Sequence, residues 1–297
     1  MKCRKRFQWM AILMTGVAMT CVMMMTSCSV SDNPVGGDDL PGGKIGGNLK
    51  SLDNVAVGDY VFADGTIVTA STYIKDGKYI HAVGVVVYVG QDAISENGVT
   101  LRDGKTTLQS HCLVLSMART ASDVVWANNS FAVELGDDNL VKSTAALKRT
   151  TDVSGYTNTK TLVEKAAENG DPNLYPAAAA AWNYDYPTPA GSTGWFLPSA
   201  QQWAHIIAGA NSLGQLDFNK VVWNDWIYEF ANPGFLHKLN AADTFEVLDG
   251  WNWTSSEYDW RNAVAIYFGY VDNVSSAGFK YNHKGEAKYI VRPIFAM

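Results

Sequence analysis

Three short blocks in the last third of the chain constrain its fold most: Gly194-Trp195-Phe196-Leu197-Pro198-Ser199-Ala200-Gln201-Gln202-Trp203, then Trp253-Thr254-Ser255-Ser256-Glu257-Tyr258, then Tyr289-Ile290-Val291-Arg292-Pro293-Ile294. Pro198 has a locked φ and no N–H, so it suits the start of a helix and no later position in one. Beyond it Trp203, Ile206, Ile207 and Ala210 fall at i, i+3, i+4 and i+7, an apolar stripe that should pack on a sheet. Leu213-Gly214 ends that run. Residues 221–230 show similar spacing through Val222, Trp223, Trp226 and Phe230 and read as another helix or an ordered insert. After Asp249-Gly250 the period changes: residues 263–268 alternate, with Val264, Ile266 and Phe268 on one face. Residues 279–281 and 289–294 then predict a terminal hairpin around Lys284-Gly285.

The first half reads as sheet. Asp59-Tyr60-Val61-Phe62 runs into an Asp64-Gly65 turn, 82–89 is β-branched enough for a buried central strand, and 111–117 supplies the next. Asn97-Gly98 and Asp103-Gly104 mark turns between them. A helix is expected over 159–168, where Leu162, Val163 and Ala166 share a face and Asn169-Gly170 ends the run. Pro176 before 177–181 predicts a second, short helix. There is no internal repeat.

The front of the chain carries an address. Lys2, Arg4, Lys5 and Arg6 precede an apolar run over 7–25, and Thr26-Ser27 places small residues directly before Cys28. Residues 1–27 thus read as a bacterial lipoprotein signal peptide, with an apolar core too short and too close to its cleavage site to span a membrane comfortably. Acyl chains on Cys28, each buried methylene contributing about 0.8 kcal/mol, would moor the mature chain to the outer membrane, with Asp38-Asp39 a hint of surface export. Residues 28–52, rich in Gly, Pro, Asp and Ser, have too little apolar mass to pack and read as a flexible tether. Residues 53–297 remain as a single domain.

Of four cysteines, Cys3 and Cys21 leave with the leader and Cys28 would carry lipid, so Cys112 is alone in the folded part. In a strand-like apolar run it reads as a small buried hydrophobe. The formal net charge is −6, with no basic cluster outside the leader, which argues against nucleic acid as a partner.

Together and in order, the three blocks resemble the C-type-lectin-like superfamily, in its formylglycine-generating-enzyme-like branch of bacterial secreted and lipid-anchored proteins. A weaker resemblance runs from Val57 to the end. It implies an α+β, C-type-lectin-like mixed fold: short antiparallel sheets, a few flanking helices and long loops. Formylglycine-generating enzymes use a cysteine pair that cannot be assembled here, so the resemblance implies the fold without the activity. It also implies that Trp253, Ser255, Ser256, Arg292 and Pro293 are framework, while the segment between the blocks forms an exposed ligand face. That segment supplies Tyr258, Asp259, Trp260, Arg261, Asn262, Tyr270, Asp272, Asn273, Tyr281, Asn282 and His283 as candidate ligand-binding residues, with Tyr267 among them in sequence. Rings give contact area at low entropic cost while Asn and Asp adapt their hydrogen bonds. The Tyr, Asn, Asp and Ser texture of the tail is that of lipoproteins of this fold diversified by retroelements.

Catalytic and metal motifs do not assemble. Trp223-Asn224-Asp225 echoes the tripeptide of calcium-dependent lectins and Asp171-Pro172-Asn173 their other loop, but the order is wrong and no loop alternates acidic ligands. His81, His111, His205, His237 and His283 are scattered singly, without zinc spacing. Asp137-Asp138 sits in a turn. The sequence therefore predicts no metal, no cofactor and no enzyme. The leading expectation is a lipid-anchored cell-surface binding or adhesion protein recognising a protein or glycan. The alternatives are an envelope-polysaccharide hydrolase using acids such as Asp225 or Glu257, and a structural fimbrial or envelope component.

Overall fold

Valine-rich runs and turn glycines build the first sheet. In the computed structural model β1 (Tyr60–Val61) and β2 (Ile67–Val68) flank the Asp64-Gly65 turn, where the Asp64 carboxylate accepts the Thr66 N–H at 2.8 Å and Gly65 takes φ +88°. β3 (Gly84–Val89), the small ribbon of β4 (Val99–Thr100) and β5 (Thr106–Thr107), and β6 (Cys112–Ser116) follow, then β7 (Ala121–Val124). The helices are α1 (Gly155–Glu168), α2 (Pro176–Trp182) and α3 (Ala200–Ala210). The remaining strands are β8 (Val222–Asn224), β9 (Ile227–Ala231), β10 (Gly250–Glu257), β11 (Asn262–Val271), β12 (Val274–His283), β13 (Tyr289–Val291) and β14 (Ile294–Ala296). The structure describes residues 50–69, 82–90, 99–107, 111–128, 132–142, 154–210, 222–224, 227–231, 246, 248–271 and 274–297, all within one compact unit, Ile45–Met297.

Two sheets hold the elements together, in the orders β14-β6-β3-β1-β2 and β7-β13-β10-β11-β12-β9-β8. The result is a mixed α+β fold, mostly β. Strand alternation divides the apolar side chains cleanly. On the five-stranded sheet Val85, Leu113 and Leu115 face one core while Val86, Cys112 and Val114 face another. A bulge between Val86 and Tyr88 lets Val87 and Tyr88 join the first of these. That core also takes Trp203, Ile206 and Ile207 of α3 and Val264, Ile266 and Phe268 of β11, so α3 buries these three residues between the two sheets. The opposite face of the seven-stranded sheet presents Trp253, Ala263 and Ala265 to Leu162 and Ala166 of α1 and Ala177, Ala178 and Ala181 of α2.

All three helices expected from the sequence are present; α1 begins at Gly155, one turn earlier than its apolar face, and α2 carries Pro176 at its start. Three expectations are corrected. Residues 222–224 and 227–231 are antiparallel strands, with Trp223 opposite Tyr228, because β9 extends the sheet alongside β12; adding to an existing ladder outweighs a helical spacing of aromatics, whose preference is for strands. The terminal hairpin does not form either. β12 pairs with β11 and β9, whereas β13 lies parallel to β10 and antiparallel to β7, and β14 joins β6 in the other sheet. Nor are the antiparallel strands all short: β11 and β12 pair over ten residues each. Residues 1–49, Asn97-Gly98 and Leu213-Gly214 lie outside the described residues.

Candidate functional site

The three sequence blocks meet at one place. β10 bulges between Trp253 and Glu257, turning Thr254-Ser255-Ser256 toward the start of α3. There the Ser256 hydroxyl accepts the Ala200 N–H at 2.9 Å and the Ser255 N–H donates to the Pro198 carbonyl at 2.8 Å. Ser199 and Gln202 form a capping box, the Gln202 N–H donating to the Ser199 hydroxyl at 3.1 Å and the Ser199 N–H to the Gln202 amide oxygen at 3.0 Å. Phe196 and Ile294 exchange backbone hydrogen bonds of 2.9 and 3.0 Å, bringing in the third block. Arg292 is buried, donating to the carbonyls of Ser116, Met117 and Glu246, and burial pulls its pKa down to about 10 despite the nearby Glu246 carboxylate. Trp253, Ser255, Ser256, Arg292 and Pro293 are accordingly framework, all buried.

What this framework presents is the turn from β10 to β11. Asp259 closes it: one carboxylate oxygen accepts the Arg261 and Asn262 N–H groups at 2.8 and 2.7 Å, and the Asn262 amide donates to both oxygens at 3.1 Å. Trp260 at its apex is 52% exposed, and Arg261 beside it is exposed too. Behind the apex Tyr258 stacks on Tyr281, ring centroids 4.0 Å apart and 14° from parallel, and burial, then Tyr281 and Asp259, push the Tyr258 hydroxyl pKa upward.

The turn is held from beneath by Lys284, a residue whose sequence context suggests only a hairpin turn. Its backbone N–H donates to Arg261 O at 3.0 Å, and its carbonyl accepts from the N–H groups of Trp126 and Ala127. Its ammonium bonds the Glu257 carboxylate, Ala132 O at 2.8 Å and Trp260 O at 3.4 Å, 5.1 Å over the Trp126 ring. Glu257 in turn accepts the Glu134 and Leu135 N–H groups at 2.9 and 2.8 Å. Both side chains of the pair are fully buried, so every hydrogen-bonding need of the two charges is met by the protein. A buried lysine carries no sequence signature beyond its turn position; only its partner 27 residues earlier makes burial affordable.

The register brings most of the predicted residues together. Asn262 is opposite His283, Ala263 opposite Asn282 and Val264 opposite Tyr281, so Tyr258, Asp259, Trp260, Arg261, Asn262, Tyr281, Asn282 and His283 cluster at one end of the β11–β12 ladder. Within the cluster the Asn282 amide bonds the Tyr289 hydroxyl and the His283 imidazole accepts the Gly285 N–H at 3.2 Å. Tyr270 belongs to the other end, where it pairs with Ser275. Eight strand residues beyond Asn262, at about 3.4 Å each, it is roughly 27 Å away. Asp272 and Asn273 lie outside the described residues. The single face drawn from the sequence is therefore divided by strand length.

A second aromatic group was missed. Trp251 on β10 lies between Tyr267 on β11 and Tyr289, with centroids 5.2 and 5.8 Å apart, and the Lys280 ammonium stands 4.7 Å over the Trp251 ring. Period-2 alternation from Trp253 backward to Trp251 was the available signal.

Other sequence candidates resolve individually. Cys112 is fully buried and its thiol pKa is pushed up to about 12 by burial and by Asp59. Glu257 is sealed from solvent and cannot meet a substrate, and Asp225 lies outside the described residues. Asn224 ends strand β8 rather than sitting in a helix, and the Asp171 carboxylate caps its own turn by accepting the Asn173 N–H at 3.0 Å. Among the described residues no helix is long and apolar enough to cross a membrane, and no three His, Cys, Asp or Glu side chains are grouped to hold a metal.

No protein-family model matches the chain, and no curated protein matches it. Among solved structures it is similar to a fimbrial protein from Bacteroides ovatus, at 17% identity and a TM-score of 0.50, over 82% of this chain and 49% of that one. The chain thus spans about half the length of that protein, and the likeness concerns the fold.

Proposed function

We propose that the chain is a lipid-anchored cell-surface binding protein of C-type-lectin-like fold that docks a protein or glycan, without chemical turnover, through the β10–β11 turn and the adjoining end of β12. The observation that carries this reading is Trp260, a large ring half exposed at the apex of a turn fixed from within by Asp259 and from beneath by a buried lysine. An aromatic anchor that is rigid before it binds loses little entropy on docking. The mutual locking of the three blocks around the start of α3 supports the superfamily assignment, since the resemblance rests on those blocks. Residues 1–27 as leader, Cys28 as lipid site and 28–52 as tether complete the reading: outer membrane, outward facing. The apex residues between framework positions are also where a retroelement would diversify such a chain. A template repeat and a reverse transcriptase gene beside the coding region establish that; their absence ends it.

A fimbrial or envelope structural role is the second reading, and the fold likeness to a Bacteroides ovatus fimbrial protein favours it. One comparison separates the two. Full-length chain on cells is screened against host surface proteins and glycans, intact and as Trp260→Ala. Docking predicts a ligand whose affinity drops at least about tenfold in the variant, the loss of roughly 1.4 kcal/mol or more expected of a central ring. Equal binding by both removes the apex from the function, and polymer formation with no ligand transfers the case to the fimbrial reading.

A further inference from the structure

The face of the seven-stranded sheet that carries Trp253, Ala263 and Ala265 is covered by α1 and α2. The same face continues to Trp251 and Tyr267, directly opposite each other in register, and to Lys280 opposite Ala265. Here the chain uses glycine in strand interiors, where it weakens a sheet: Gly278 stands opposite Tyr267, and Gly269 lies two residues along β11. The reason is visible at Gly269. A Cβ there would run into the Tyr267 phenol, so that ring lies down along its own strand instead of standing off the sheet. Trp251, Tyr267 and Tyr289 are each only partly buried and form a row across β11, β10 and β13. Lys280 is over Trp251 at one margin, and burial lowers the pKa of its ammonium. Among the described side chains no carboxylate pairs with it.

We propose that this row is a binding platform for an acidic polysaccharide, whose pyranose rings stack on Tyr267 and Trp251 while a sugar carboxylate pairs with the Lys280 ammonium. A ring laid along its strand, with a second tilted 46° beside it, suits the apolar faces of successive sugars, where a protein ligand would call for a pocket to fill. The cation decides the class. An ammonium already stripped of part of its water gains more from an incoming carboxylate than a fully hydrated one does, and a neutral sugar offers it nothing comparable. The site meets the cluster behind the β10–β11 apex through the Asn282–Tyr289 hydrogen bond, but its stacking rings and its cation are not apex residues, and it stands whether or not the apex binds anything.

The test is affinity electrophoresis of the full-length chain, held in detergent, through gels containing polygalacturonate, alginate or neutral dextran. Retardation by at least one of the acidic polymers, and not by dextran, is expected, weakening as salt rises. Trp251→Ala and Tyr267→Ala should each weaken it about tenfold. Lys280→Met, which keeps the packing over Trp251, should weaken it by a similar factor with an unchanged melting temperature, so that a misfolded tryptophan variant does not decide the matter. Glu229 on β9 is in register with Gly278 of β12, and Glu229→Gln should leave binding equal or stronger; a loss as large as that of Lys280→Met would make Glu229 part of the contact and overturn the scheme. Failure of both acidic polymers, equal retardation by dextran, indifference to Lys280→Met, or loss on Trp260→Ala without loss on Trp251→Ala also overturns it.

Discussion

At the scale of single residues, the site depends on one buried charge pair. Lys284 and Glu257 are both sealed from water, so removing one leaves the other without compensation. Lys284→Met should cost roughly 3–5 kcal/mol in urea unfolding. Glu257→Gln combined with it should recover much of that loss, because glutamine still accepts the Glu134 and Leu135 N–H groups while carrying no charge. Recovery of nothing would mean the lysine acts through shape alone. Cys112 gives a second, pH-dependent expectation. Its thiol ionises near 9.0 when unfolded and near about 12 in place. The folded state therefore holds the proton longer, so the stability this contributes is complete below pH 9.0 and declines as pH rises from there toward about 12. Cys112→Val lacks that decline. The stability difference between the two proteins should shift against the parent above pH 9, and a constant difference across that range would contradict the burial argument. No residue pattern reveals Lys284, while Cys112 is legible because a cysteine in a strand-like apolar run reads as a small buried hydrophobe.

Secondary structure was legible where local spacing and burial agreed. The α3 stripe, the α2 proline and the alternation of β11 all describe surfaces that a neighbouring element covers in the expected way. The helical alternative for residues 221–230 and the terminal hairpin fail because strand pairing is a choice among partners distant in sequence, which periodicity does not encode. The junction of α1, α3 and β10 is specified by side-chain hydrogen bonds and a close glycine contact. Ser256→Ala removes an oxygen that accepts a helix N–H at the start of α3 and should lower stability by about 1 kcal/mol. Gly155 at the start of α1 faces the Gln202 amide oxygen and the Phe196 ring, with that oxygen already engaged by Ser199. Gly155→Ala should therefore cost about 1–3 kcal/mol by overpacking, read as a fall in melting temperature, despite alanine's better helix propensity. A neutral or raised melting temperature would show that Gln202 can yield.

For the molecule as a whole, the N-terminal reading and the exposed surfaces make different demands. Cys28→Ala is expected to abolish palmitate incorporation and release the chain from the membrane fraction; retention without label would point to a different anchor. The mixed sheet-and-helix character follows from the order of residues along the chain, and the proposed leader and tether rest on that order too, since each depends on neighbours within a few positions. Which aromatic residues form a surface does not. Trp260 and Tyr270 look alike in sequence, yet a ten-residue strand puts them at opposite ends of a ladder, and Trp251 stands beside Tyr267 because two strands happen to pair in that register. Contacts between distant segments are set by the lowest-energy packing of the complete chain. Only the folded structure could therefore show that a buried lysine props the exposed turn and that a row of rings shares a sheet face with one partly buried cation.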